Sequence, residues 1–270
     1  MTVIVSVKIN DGVVMAADSA GSMESGQIYA HAHKIANLCE GLPVGVMSTG
    51  SGGVGNESVE TLLKDLRRRL VGLDPAFRNW RLDPLTYTVE QVATRLRSFL
   101  FEEKAALCSD PTSIRLRVCG YSAGCSLAEI WEVNLTNHTC PPPACIMNEK
   151  SFGVMWDGQY EALNRLILGV GFDTEAALIR HGVAPQQAAA LQKGLVQDLY
   201  ATLAVPAMPI QDAIDLARFL VETTIGFVRF AVFLPKSVGG AVEIAAITKH
   251  EGFRWVQREG SDAVKEDRRC

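Results

Sequence analysis

No stretch of this sequence is apolar for long enough to cross a bilayer, which takes about 20 such residues in a helix. The first nine residues alternate apolar and polar side chains and lack the apolar core of a secretory signal. Both absences lead us to expect a soluble, cytoplasmic protein. In that setting the sequons at Asn56, Asn134 and Asn137 are chance matches. A large charge excess is missing too. A net charge of -4 over 270 residues gives no reason to expect nucleic acid or a membrane surface as partner. The short basic run Arg67–Arg69 falls within a helical pattern and reads as a solvated face. The seven cysteines fit a reducing compartment and read as ordinary thiols rather than as a zinc set. His31 and His33 have no third ligand close by in sequence, so no metal or other cofactor is expected. Linkers and low-complexity blocks are absent. We therefore expect one domain over residues 1–256, with a helical insertion near 169–204 and a charged, disordered tail over 257–270.

What is present is ordinary globular material, 48% hydrophobic and 21% charged. Val3, Val5 and Val7 alternate with Ile4, Ser6 and Lys8, which predicts a strand over 2–8. Asn10-Asp11-Gly12 is a hairpin turn signal, and 13–17 reads as the return strand. A loop is expected at 22–26, then a second strand pair at 32–38 and 44–49. Helical spacing follows over 57–70 and 89–107. Strands are expected at 115–121, 127–135 and 151–155, and a short helix at 160–168. Prolines open two longer helices, 185–203 and 209–227. Strands at 229–234, 242–248 and 253–256 close the pattern. Strand hairpins at both ends with helices grouped between them predict an α+β fold. Its expected form is a four-layer αββα sandwich, two stacked antiparallel sheets flanked by helices.

The chemistry gathers at the front. Residue two is small, so methionyl aminopeptidase would remove Met1 and leave Thr2 with a free α-amine. Such an amine has a pKa of about 8, close to neutral for an amine. A threonine hydroxyl needs a base to become a nucleophile, and its own α-amine is a recognised one. Asp18 ends an apolar strand, and Lys34 lies in Ala32-His33-Lys34-Ile35-Ala36. A nearby cation would favour the neutral amine, and a partly buried lysine calls for a carboxylate partner.

Sixteen positions separate Thr2 from Asp18, and sixteen more separate Asp18 from Lys34. That spacing, with the text Thr-Val-Ile-Val-Ser-Val-Lys-x-x-Asp-Gly-Val-Val-Met-Ala-Ala-Asp-Ser, closely resembles the start of a mature proteasome β subunit. The resemblance is good over about 2–75 and weak over about 205–256. It implies an N-terminal-nucleophile (Ntn) hydrolase of diverged bacterial type, a threonine peptidase with Thr2 as nucleophile. Asp18 and Lys34 would orient and tune the α-amine, and the Gly50 N–H would receive the oxyanion. It also implies a homo-oligomeric ring or double ring around unfolded polypeptide or peptide substrate, with room for an ATP-dependent unfoldase partner. Two positions depart from the family pattern. Its serine in a Gly-Ser-Gly context is replaced by Trp156-Asp157-Gly158-Gln159, so Asp157 stands there, and its late aspartate is replaced near Pro235 or Lys236, while Ser237 stands as the family's late serine.

Rival readings are set by the same residues. Gly50-x-Gly52-x-x-Gly55 matches the dinucleotide-binding fingerprint in letters, but no parallel strand is expected after the following helix. A catalytically silent ring subunit would share the fold, although such subunits carry an extension ahead of the first strand. A non-peptidase amidohydrolase is the third reading, since a fold does not fix its substrate.

Overall fold

The turn at Asn10 and Asp11 folds strand β1 (Val3–Ile9) back onto β2 (Gly12–Asp18). Every residue of both strands is buried, which is why β2 could be apolar on both faces. The computed structural model describes residues 2–22, 27–108 and 110–258. Met1, most of the expected 22–26 loop and nearly all of the expected tail lie outside the described residues.

The other strands are the short pair β3 (Gly21–Ser22) and β4 (Ile28–Tyr29), then β5 (Ile35–Asn37) and β6 (Val44–Gly50). A second short pair is β7 (Gly53–Val54) and β8 (Glu57–Ser58). Beyond the first helices come β9 (Ser113–Gly120), β10 (Glu129–Thr136), β11 (Ala144–Met147) and β12 (Gly153–Gly158). The last two are β13 (Val242–Thr248) and β14 (Gly252–Gln257). They form two five-stranded antiparallel sheets, β12-β1-β2-β13-β14 and β11-β10-β9-β6-β5. The helices are α1 (Val59–Leu70), α2 (Val89–Arg97), α3 (Glu161–Leu163), α4 (Thr174–Arg180), α5 (Pro185–Leu199) and α6 (Ile210–Phe230). The fold is thus α+β, as the pattern of elements predicts. Among the described residues, no helix is long and apolar enough to cross a membrane.

The buried side chains fall into three clusters. Leu62, Leu66 and Leu70 of α1 and Val92 and Leu96 of α2 join Val44, Val46, Leu116 and Val133 of the second sheet. Ile214, Ala217, Leu220 and Val221 of α6 join Val3, Val5, Val14 and Ile244 of the first. The third cluster takes members from both sheets: Ile4, Val13, Met15 and Ile247 with Ile35, Met47, Cys119 and Ile130. Side chains alternate along each strand, so each sheet feeds one cluster with odd positions and another with even ones. A buried lysine fixes the edge of the first sheet. Lys8 Nζ donates to the carbonyls of Asn148 and Glu149 at 3.0 and 3.2 Å, and also to that of Ser151. These carbonyls belong to the turn that feeds β12.

Several expectations need correction. No strand forms at 229–234. The apolar stripe of α6 continues through Ile225 and Val228, so the helix runs to Phe230, and the chain beyond it is irregular. The expected helix at 89–107 is regular only to Arg97, followed by a π-helical stretch (Ser98–Lys104) and a 3-10 turn (Ala105–Leu107). β5 is shorter than expected, because 32–34 leave the sheet to enter the candidate site. The strand expected at 151–155 lies at 153–158, and β11 was not foreseen, since three prolines mask its start. At 169–204, helices α4 and α5 have only Ala188 buried between them. Glu161 anchors their near end, accepting from Arg165 Nε at 2.6 Å and from the Phe172 N–H at 2.8 Å.

Candidate active site

Thr2 lies at the head of β1, where three strands bring its partners within reach. It is 7% exposed, and its carbonyl accepts the Gln159 N–H at 2.6 Å. Gly158 is required beside it. Its φ is +84°, and a Cβ there would stand 1.8 Å from the Thr2 carbonyl oxygen. The next residue, Val3, donates its N–H to Asp18 Oδ1 at 2.9 Å. Asp18 ends the paired strand β2 and is fully buried.

A buried carboxylate needs hydrogen bonds and a counter-charge. Asp18 also accepts the N–H groups of Ala20 and Gly239, at 3.3 and 3.1 Å. Lys34 Nζ lies 2.5 Å from Asp18 Oδ1 and 2.7 Å from the Ala20 carbonyl. Lys34 is 6% exposed. Burial lowers its pKa from the ordinary lysine value, opposed by the charge and hydrogen bond of Asp18 and by the charge of Glu243. Thr2 and Lys34 line one cavity of about 420 Å³ together with His31, His33, Thr49 and Gly50.

A second cavity, of about 250 Å³, shares Thr2, Thr49 and Gly50 with the first. Gly50 borders both. Its φ is +101°, and a Cβ would stand 2.3 Å from the Ser113 carbonyl oxygen. Asp157 lines the second cavity with Arg115 and Asn134. Its Oδ2 accepts from Arg115 Nη1 at 2.5 Å, and its Oδ1 accepts the Gly158 N–H at 2.6 Å. Hydrogen bonding to Asp157 raises the Arg115 pKa above its ordinary value.

The structure therefore brings Thr2, Asp18, Lys34, Gly50 and Asp157 together. Ser237 is different: its hydroxyl donates to the Pro235 carbonyl at 3.3 Å, and it lines neither cavity. Its loop still reaches the site, through the Gly239 N–H on Asp18. Sequence reasoning missed Arg115 and Glu243, and weighed His33 only as a metal ligand. Arg115 could have been found as one of two arginines alternating along β9. Glu243 could have been found as a lone acid in an apolar strand. The strand ahead of Gly50-x-Gly52-x-x-Gly55, β6, pairs antiparallel on both sides, which is not the βαβ setting a dinucleotide fingerprint requires. Among the described residues, no three His, Cys, Asp or Glu side chains are grouped so as to hold a metal ion. Compared with known proteins, the chain matches no family model and no curated sequence.

Proposed function

We propose that the protein is a threonine-type amide hydrolase of the N-terminal-nucleophile kind, acting on peptides or unfolded polypeptide. The observation that carries this reading is the buried Lys34–Asp18 pair at 2.5 Å, whose lysine lines the same cavity as Thr2. On this reading the three core clusters are the seams of a four-layer αββα sandwich, with Thr2 at the mouth between the sheets. Met1 is removed first. The freed α-amine takes the Thr2 hydroxyl proton as Oγ attacks the amide carbon. The negative oxygen of the tetrahedral intermediate faces the Gly50 N–H. The leaving amine then takes the proton from the α-ammonium, and an ester remains on Thr2. Water, deprotonated by the same amine, attacks the ester, and the α-ammonium returns that proton to Thr2 Oγ as the acid is released.

Lys34 holds positive charge near the amine, which keeps the amine neutral and able to act as base. Asp18 holds Lys34 and, through Val3, the head of β1. Two cavities that share Thr2 suit an extended chain lying across the nucleophile. Assembly into a ring around that cleft is part of the proposal, as are cytoplasmic residence and an unfoldase partner. The test is Thr2→Ala against Thr2→Ser, assayed on a panel of fluorogenic peptides with the fold checked by circular dichroism. We expect Ala to abolish hydrolysis and Ser to retain part of it, both folded. Full activity in Thr2→Ala would remove the nucleophile from the account.

A further inference from the structure

β13 is apolar except at Glu243 and its final threonine, and Glu243 is fully buried. It lies opposite Ala17, one residue from Asp18. An isolated carboxylate at that depth is strongly destabilising unless charge and hydrogen bonds compensate it. His33 Nδ1 stands 2.5 Å from Glu243 Oε1. Lys34 is the next residue along, and its partner Asp18 follows Ala17, the residue opposite Glu243; the charge of Glu243 acts on Lys34 to favour the ammonium form. Glu243 Oε2 is buried and has no hydrogen-bond partner among the described residues.

The groups facing Lys34 are thus Asp18 from β2, Glu243 from β13 and His33 from its own segment, with Thr2 sharing the cavity. His31 and Glu60 line that cavity further along. Asp18 is already shared among three backbone N–H groups, so its charge is not spent on Lys34 alone. Burial works against the ammonium form that the α-amine needs beside it. A second carboxylate answers that need, and His33, on the cavity wall, holds it in place.

We propose that Glu243, held by His33, is a positioning residue for the Thr2 reaction: a second counter-charge that keeps Lys34 an ammonium. The role in catalysis rests on the reading of Thr2 given above, whereas the counter-charge is measurable without turnover. The experiment is a pH titration of ¹³C-lysine-labelled protein by NMR, with the Lys34 signal identified by its loss in Lys34→Arg. In Glu243→Gln we expect the Lys34 midpoint to fall by about one unit, and in Glu243→Asp to recover at least in part. His33→Ala, at a partly exposed position, should lower the midpoint too, and it serves if Glu243→Gln does not fold. An unmoved Lys34 midpoint in a folded variant overturns the proposal. A lowered midpoint with reduced kcat and unchanged KM supports it in full. A lowered midpoint in a protein whose wild type hydrolyses nothing upholds the counter-charge and rejects the Thr2 reading instead.

Discussion

Lys34 and Asp18 depend on each other more than any other two side chains near Thr2. Lys34→Ala would leave Asp18 fully buried with backbone N–H groups but no cation. Breaking a buried pair in this way costs about 3 kcal/mol or more, so urea unfolding should show a loss of that size. Activity should fall about a hundredfold or more, the scale of a mistuned acid–base step. A stable, fully active Lys34→Ala protein would contradict the role given to the lysine. Gly158 is the second sensitive residue. Gly158→Ala combines a φ of +84° with a Cβ driven into the Thr2 carbonyl. We expect about 2 kcal/mol of destabilisation and a displaced Thr2, read as lost labelling by an acylating peptide. Thr2, Asp18 and Lys34 were singled out by the resemblance of their spacing and flanking text to a known family, and they meet because two adjacent strands and one entering segment end together. Arg115 and Glu243 were not, because they reach the site through cross-strand pairing that no local pattern encodes.

At the scale of elements, the strands and amphipathic helices were legible where one face is buried and the period is clear. β1, β2, β6 and α1 are of this kind. The misplaced elements are those where tertiary packing overrides local text. The 229–234 segment is apolar enough to read as a strand, yet α6 keeps its buried stripe to Val228 and runs on to Phe230. Beyond that, Val232 is fully exposed. Capping gives a check on the helices that does not touch the site. Thr88 accepts the Gln91 N–H at 3.0 Å at the start of α2. Thr88→Ala should cost about 1 kcal/mol in urea unfolding while leaving hydrolysis per folded molecule unchanged. A stability change much below that size would mean the cap is not formed in solution.

The whole molecule carries a pH signature of its buried groups. Burial pushes the Cys39 and Cys119 thiols from 9.0 up to about 12 and the Tyr87 hydroxyl from 10.0 up to about 12. In the unfolded chain these groups lose their protons earlier, so their contribution is complete below about pH 9 and is lost towards pH 12. Burial lowers the pKa of Lys8 and Lys34, which acts with the opposite sign below 10.5. Above 10.5 the lysines are neutral in both states and only the loss remains. The melting temperature under reducing conditions should therefore fall steeply between pH 10.5 and 12. The Cys39→Ala, Cys119→Ala double variant should fall less steeply. An identical slope in wild type and double variant would show that the two thiols are not held protonated by the fold. The central claim at this scale is a mature chain beginning at Thr2. Its most direct test is the intact mass of active protein before and after treatment with an acylating peptide. We predict a mass short by one methionine, rising by one acyl group that maps to Thr2. A chain that keeps Met1 and still hydrolyses peptides, or an acyl group carried elsewhere, would contradict it.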